Sequence, residues 1–186
     1  MIWEKIDKDL FILINNRLHN ELFDLIMPFV RSPQLWIPFY IFMLLFVLIN
    51  YNKNSWKWVL FFAILPMITD YISSGIIKEH IYRLRPCNDL QLSSQARFLL
   101  NYRPQSSSFT SSHATSHFAL AAFFFNTLES KIGKWGYLFY IWALVICYAQ
   151  IYVGVHYPVD VICGGLLGFT IGKLYASFFN KKFQLI

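Results

Sequence analysis

The sequence predicts an all-α polytopic membrane bundle, with five to six transmembrane helices behind an amphipathic N-terminal segment. Three observations carry this. The 186 residues are 56% hydrophobic and only 14% charged, whereas soluble domains run nearer a quarter charged. Apolar runs close to the ~20 residues that a bilayer requires recur along the chain. Aromatic residues make up 19%, and many of the tryptophans and tyrosines stand at the ends of those runs, where interfacial anchors sit. The length suits one domain over 1–186.

Residues 1–31 alternate charged with apolar residues, including Ile6, Leu10, Phe11, Leu13, Ile14, Leu22, Phe23, Leu25, Ile26 and Phe29, so one or two surface-lying amphipathic helices are expected. A span over 34–50 ends at the polar run Asn50–Asn54. The next, 56–78, opens with Trp56 and Trp58 and carries Pro66, a candidate kink. A long polar loop fills 79–112, and three more spans are expected at 113–128, 135–153 and 158–179. The segment 20–31 is a candidate sixth span. Gly164, Gly168 and Gly172 recur every fourth residue, a stripe suited to close helix packing inside the bundle.

With five spans, the 79–112 loop and the 153–157 turn share one side of the membrane. The other side carries Lys53, Lys131, Lys134, Lys181 and Lys182, which makes it cytoplasmic by the positive-inside rule. The expected setting is a cytoplasmic (inner) membrane, with the polar loop facing the periplasm or exterior. The net charge of +6 has no soluble surface large enough to make a nucleic-acid face, so anionic lipid headgroups or phosphates are the expected partners. Cys87, Cys147 and Cys163 imply neither a disulfide framework nor a zinc ribbon. Oligomeric state is not legible.

Three polar clusters lie at span ends. Lys78 and Arg85 are seven apart, two helical turns, and combine a mobile point charge with a planar fork of donors. They suit a tetrahedral phosphate; they equally suit a basic collar at the interface. Thr110-Ser111-Ser112-His113 opens a helix, where small hydroxyl residues cap and free N–H groups attract anions. His113 and His117 share a helical face, but Ala114 stands where the zinc-protease pattern needs Glu and no third ligand is evident, so no metal is assigned. His156 and Asp160 are four apart at the start of the last span. The carboxylate can fix the ring tautomer, or simply cap the helix. Asp70 lies inside the second span with Ser74 and Lys78 further along one face, either at the base of a site or as a structural carboxylate.

Together these clusters resemble the type 2 phosphatidic acid phosphatase (PAP2) family of membrane phosphatases. Its signature is Lys, six residues, Arg-Pro; then Ser-Gly-His after a proline; then Ser-Arg, five residues, His, three residues, Asp. The first motif stands here as Lys78…Arg85-Pro86, the second as Thr110-Ser111-Ser112-His113, and the third as Ala149-Gln150…His156…Asp160. The resemblance covers roughly residues 56–180. It implies that His156 attacks phosphorus to form a phosphohistidine and that Asp160 orients it. His113 would protonate the leaving oxygen and then activate water. Lys78, Arg85, Gln150 and backbone N–H groups near Ser111 and Ser112 would hold the phosphoryl oxygens, with no metal or other cofactor.

Gln150 is the departure, because the family usually has a second phosphate-binding arginine there. Loss of a charge-assisted contact costs on the order of 2–4 kcal/mol. Arg83, Arg97 or Arg103 could reach in; the enzyme could be weaker or tuned to another substrate; or the chain could bind a lipid phosphate without catalysis. The reading adopted is hydrolysis of a membrane lipid phosphate or pyrophosphate: undecaprenyl pyrophosphate, phosphatidic acid, phosphatidylglycerol phosphate or a lipid A phosphate. A lipid phosphotransferase and a transporter are the rivals. The loop from Cys87 to Ser111 is expected to shape the headgroup entrance.

Overall fold

The computed structural model describes residues 2–51, 53–92 and 94–185, and the helices follow the apolar runs. The N-terminal segment forms α1 (Ile2–Ile12), continued by a wider π-type turn over Leu13–Arg17, and α2 (Glu21–Val30). Asn20 caps α2 by accepting from the N–H of Phe23. At ten residues, α2 is about 15 Å long, half the ~30 Å of a hydrocarbon core. It is therefore no sixth span. Among the described residues, four stretches are long and apolar enough to cross a membrane: Pro33–Asn50, Ser55–His80, Ser112–Tyr152 and Pro158–Lys182. The third folds at Gly133–Gly136 into two helices packed side by side, which makes five in all.

The first span is α3 (Ile37–Asn50), led in by a 3₁₀ turn at Pro33–Trp36. The second comprises α4 (Ser55–Asp70), a π-type stretch over Tyr71–Ile77, and the single turn α5 (Lys78–His80). Pro66 lies inside α4, and the irregularity follows it at Tyr71. After the loop come α6 (Ser112–Ile132), α7 (Tyr137–Tyr152) and α8 (Pro158–Lys182). The expected span at 113–128 is longer than its apolar run. Glu129, Ser130 and Lys131 continue the helix until Gly133, whose φ of +51° ends it.

The glycine stripe sets the central contact. A Cβ on Gly164, Gly168 or Gly172 would stand 2.7, 2.0 or 2.2 Å from the carbonyl oxygens of Ser111, Thr115 and Ala119. The backbone of α8 therefore lies directly on α6, as small residues permit. That contact lets the Ser111 N–H donate to the Asp160 carbonyl at 3.1 Å, fixing the starts of the two helices together. Below it, Trp58 stacks on Phe62, Phe123 and Phe124 and donates its indole N–H to Thr127 at 2.8 Å.

The N-terminal helices cover the polar end of this bundle. Asp7 and Phe11 of α1 and Asn15 of the π-type turn that continues it form one buried stripe. Asn15 donates to the carbonyls of Arg97 and Tyr152, each at 2.8 Å, and accepts from the Arg97 N–H at 2.7 Å. The long loop is thereby stitched to the end of α7. Gly154, at φ +90°, makes the approach possible, since a Cβ there would stand 2.4 Å from the Arg97 carbonyl oxygen.

Candidate active site

The 153–157 turn carries His156 to the polar end of the bundle, buried at 2% exposure. Pro158 opens α8, and Asp160 in its first turn accepts the Tyr157 N–H at 2.9 Å, a cap that fixes the carboxylate beside the ring. His156 Nδ1 faces Asp160 Oδ2 at 3.7 Å, too far for a direct hydrogen bond. Ser108 stands between them: its hydroxyl donates to Asp160 Oδ2 at 2.5 Å and lies 3.4 Å from Nδ1. On the opposite ring edge, Arg85 Nη1 points at Nε2 from 3.2 Å. A guanidinium can only donate, so Nε2 carries the lone pair and Nδ1 the proton. Burial foremost, together with the Arg85 charge, holds the His156 pKa down to about 4 against the raising effect of Asp160. The ring is neutral at pH 7, with its lone-pair nitrogen turned toward Arg85.

Arg85 is buried at 5% exposure. Its Nε donates to the Ser106 carbonyl at 2.8 Å, and its Nη groups reach the carbonyls of Val155 and Ser107 at 3.2 Å. Burial lowers its pKa, and the nearby Arg31 charge pushes the same way. Lys78, in the last turn of the second span, lies within electrostatic range of Arg85, Asp70 and Asp160. Among the described residues, neither Lys78 nor Arg85 pairs with a carboxylate.

His113 occupies the first turn of α6, where Ser111 is the cap and accepts the Ala114 N–H. Its neighbours in charge are His117, Arg31, His156 and Lys78. The Ser111 N–H is taken by Asp160, which removes it from the expected anion donors. The Ser112 hydroxyl is held by Ser73 and Ser74 at 3.0 and 2.9 Å. His117 packs against Trp142; its Nδ1–H donates to the His113 carbonyl at 2.7 Å, and Nε2 meets the Tyr40 hydroxyl at 3.2 Å.

Two cavities meet at His113. One, about 480 Å³, is a largely apolar cleft lined by Tyr40, Phe62, Ala63, Pro66 and Leu120, with Asp70 and Ser112 beside it. The other, about 690 Å³, is a more polar vestibule bordered by Phe29, Arg31, Ser32, Leu99 and Tyr102. Asp70 accepts the Ser74 hydroxyl at 2.9 Å at the apolar cleft.

The three arginines expected as stand-ins at Gln150 are engaged elsewhere. Arg83 donates to Asp160 Oδ1 at 2.5 Å and Asp7 Oδ2 at 2.6 Å and lies over the Tyr157 ring. Arg97 is ion-paired with Asp24. Arg103 donates to the Cys87 carbonyl at 2.6 Å. Sequence reasoning missed Asp7, Ser108 and Arg31, whose Nε donates to Gln150 Oε1 at 3.3 Å. For Asp7 a signal existed, because a carboxylate in register with Phe11 and Asn15 on the buried stripe of an amphipathic helix needs a partner.

Residues 58–184 match the PAP2 superfamily. A lipid A 4'-phosphatase of Bacteroides thetaiotaomicron is 27% identical over 179 residues, which cover 95% of this chain and 78% of that protein. An undecaprenyl-diphosphatase of Sulfolobus acidocaldarius is 30% identical over 172 residues, 89% of this chain and 75% of that one. In fold, the chain is similar to the crystal structure of a PAP2-type phosphatidylglycerolphosphate phosphatase from Bacillus subtilis, with a TM-score of 0.67, 21% identity, and 98% and 90% of the two chains covered.

Proposed function

The chain belongs to the PAP2 superfamily, and on that premise we propose that it hydrolyses a phosphate ester or pyrophosphate on a membrane lipid through a phosphohistidine at His156. The whole of 1–186 acts as one catalytic unit in this reading, since α1 and the loop both build the site. The observation that carries it is the polarity of the His156 ring: Nδ1 toward Ser108 and Asp160, Nε2 toward Arg85.

His156 Nε2 attacks phosphorus while the bond to the leaving oxygen breaks. The positive charge growing on the ring is offset by Asp160. His113, as imidazolium, gives its proton to the leaving oxygen; as neutral imidazole, it then takes a proton from the water that attacks phosphorus, while the P–N bond breaks, its electron pair returns to His156 Nε2 and phosphate is released. Lys78 and Arg85 hold the equatorial oxygens, where charge accumulates. Every proton and charge in the cycle is handled by a side chain, so the reaction is metal-independent.

Position supports a lipid substrate. His113 borders both the apolar cleft, which suits an acyl or prenyl chain, and the polar vestibule, which suits a headgroup. The names of the relatives favour lipid A 4'-phosphate and undecaprenyl diphosphate among the substrates. The lysines at the opposite end favour a site on the outer face of the inner membrane, by the positive-inside rule.

The test is phosphate release by detergent-purified protein in EDTA, on lipid A, undecaprenyl diphosphate and phosphatidic acid, with wild type beside His156→Ala. Release that vanishes in the variant is expected. Release that requires a divalent metal, or that survives His156→Ala, refutes the mechanism.

A further inference from the structure

We propose that Arg31 supplies the phosphate-binding cation that the third motif lacks at Gln150. The inference rests on the phosphatase reading and adds to it a residue from outside the 58–184 family match.

Gln150 is fully buried near the end of α7, less than two turns before His156. Its side-chain oxygen faces Arg31, which closes α2 at 8% exposure. The Arg31 backbone is held there by its neighbours: Trp36 donates its indole N–H to the Val30 carbonyl at 2.8 Å, and the Ser32 N–H bonds the Phe29 carbonyl at 2.8 Å. Its guanidinium makes two neutral contacts, to Gln150 Oε1 at 3.3 Å and the Tyr102 hydroxyl at 3.3 Å. Among the described residues no carboxylate pairs with it, whereas Arg83 has two and Arg97 has one. A buried guanidinium without a counter-charge is costly unless an anion visits it.

Its surroundings say which anion. Arg31 borders the same vestibule as His113, and its charge acts on both His113 and Arg85. Two buried arginines that repel each other become favourable neighbours when a phosphoryl group lies between them. Glutamine at 150 then has a role of its own. Its carbonyl takes the Nε–H of Arg31 and, with Nη1 at the Tyr102 hydroxyl, leaves Nη2 for the ligand, whereas an arginine at 150 would press a second guanidinium against the first. The cation has moved from α7 to α2, and the neutral residue left behind orients it.

The experiment compares kcat/KM on the three lipids for wild type, Arg31→Gln, Arg31→Lys, Gln150→Arg and the double variant Arg31→Gln/Gln150→Arg, with thermal midpoints in detergent alongside. Arg31→Gln keeps the stem and an amide donor, so it removes charge with little loss of packing. We expect it to lose about 10²-fold, Arg31→Lys to lose about tenfold, and Gln150→Arg to fall below wild type. The double variant is expected to recover at least tenfold over Arg31→Gln, because the charge returns at the family's usual position. A merely structural Arg31–Gln150 contact predicts instead that the thermal midpoint falls together with activity in Arg31→Gln and returns with it in the double variant, which swaps the pair; a phosphate contact predicts activity lost and regained at a nearly unchanged midpoint. Arg31→Gln within threefold of wild type, or a double variant no better than Arg31→Gln, overturns the assignment and leaves the phosphatase reading standing. Wild type silent on all three lipids overturns the phosphatase reading and this one with it.

Discussion

The two edges of the His156 ring look onto opposite electrostatic surroundings. On the Nδ1 side, charges are matched within the protein: Asp160 and Asp7 both bind Arg83, Asp160 also takes Ser108 and the Tyr157 N–H, and Asp7 takes the Val159 N–H at 2.9 Å. On the Nε2 side stands Arg85, with Lys78 and Arg31 within its electrostatic range, and no carboxylate pairs with any of the three among the described residues. On the proposed reading the closed side is the framework and the open side holds the substrate phosphate. An unmatched cation out of bulk water is costly, and in the proposed reaction the phosphate of the substrate offsets that cost.

Substitutions should separate the two sides. The largest effect is expected at the residue that serves both. Asp160→Asn removes the anion that stabilises the His156 imidazolium and leaves Arg83 with one carboxylate. Activity should fall by about 10²–10⁴-fold, with a lower thermal midpoint in the same preparation. Next, Lys78→Met on the open side should cost about 10²-fold in kcat/KM while the midpoint holds or rises, because a half-buried cation with no carboxylate partner is lost. A Lys78→Met protein that melts earlier would break the distinction between framework and ligand site.

Asp7→Asn tests the closed side from the opposite direction. It should lower stability by about 1–3 kcal/mol in detergent denaturation and change kcat less than tenfold, since Asp7 touches the reaction only through Arg83. Acid sharpens the comparison further. Burial holds the His156 pKa at about 4, below its ordinary 6.5. The unfolded chain therefore takes up a proton near pH 6.5 that the native chain refuses until about pH 4. This share of stability is complete above pH 6.5 and drains away as pH falls toward 4. Midpoints measured across that window should slope downward in wild type and flatten in His156→Asn; equal slopes would place the acid sensitivity elsewhere. The smallest effect is expected at Arg97–Asp24, a partly exposed pair away from the ring. Asp24→Asn should shift stability by less than about 1 kcal/mol and leave turnover unchanged.

The membrane spans were legible because apolar length is a local property, and the glycine stripe because its spacing is. The end of α6 was not, since Glu129–Lys131 read as loop although the helix runs on to Gly133. His156, Asp160, His113, Lys78 and Arg85 stand in motifs whose spacing is readable within one segment. Asp7, Ser108 and Arg31 reach the site from three separate segments, and sequence carries no direction for a side chain that meets its partner 119 positions away, as Arg31 meets Gln150. Arg83, Arg97 and Arg103 failed as stand-ins for the same reason. Proximity in the chain suggested them, but carboxylates on the N-terminal helices hold two of them, and the Cys87 carbonyl holds the third.

The central claim is that phosphorus passes through His156. Its direct test is to mix enzyme with lipid carrying ³²P in the scissile phosphate, quench in alkali, where phosphohistidine survives, and map the label. His113→Ala should be run beside wild type to slow the second step. Label is expected on the peptide that contains His156, accumulating in His113→Ala and absent from His156→Ala. Phosphate release with no labelled protein, or label that persists in His156→Ala, would contradict it.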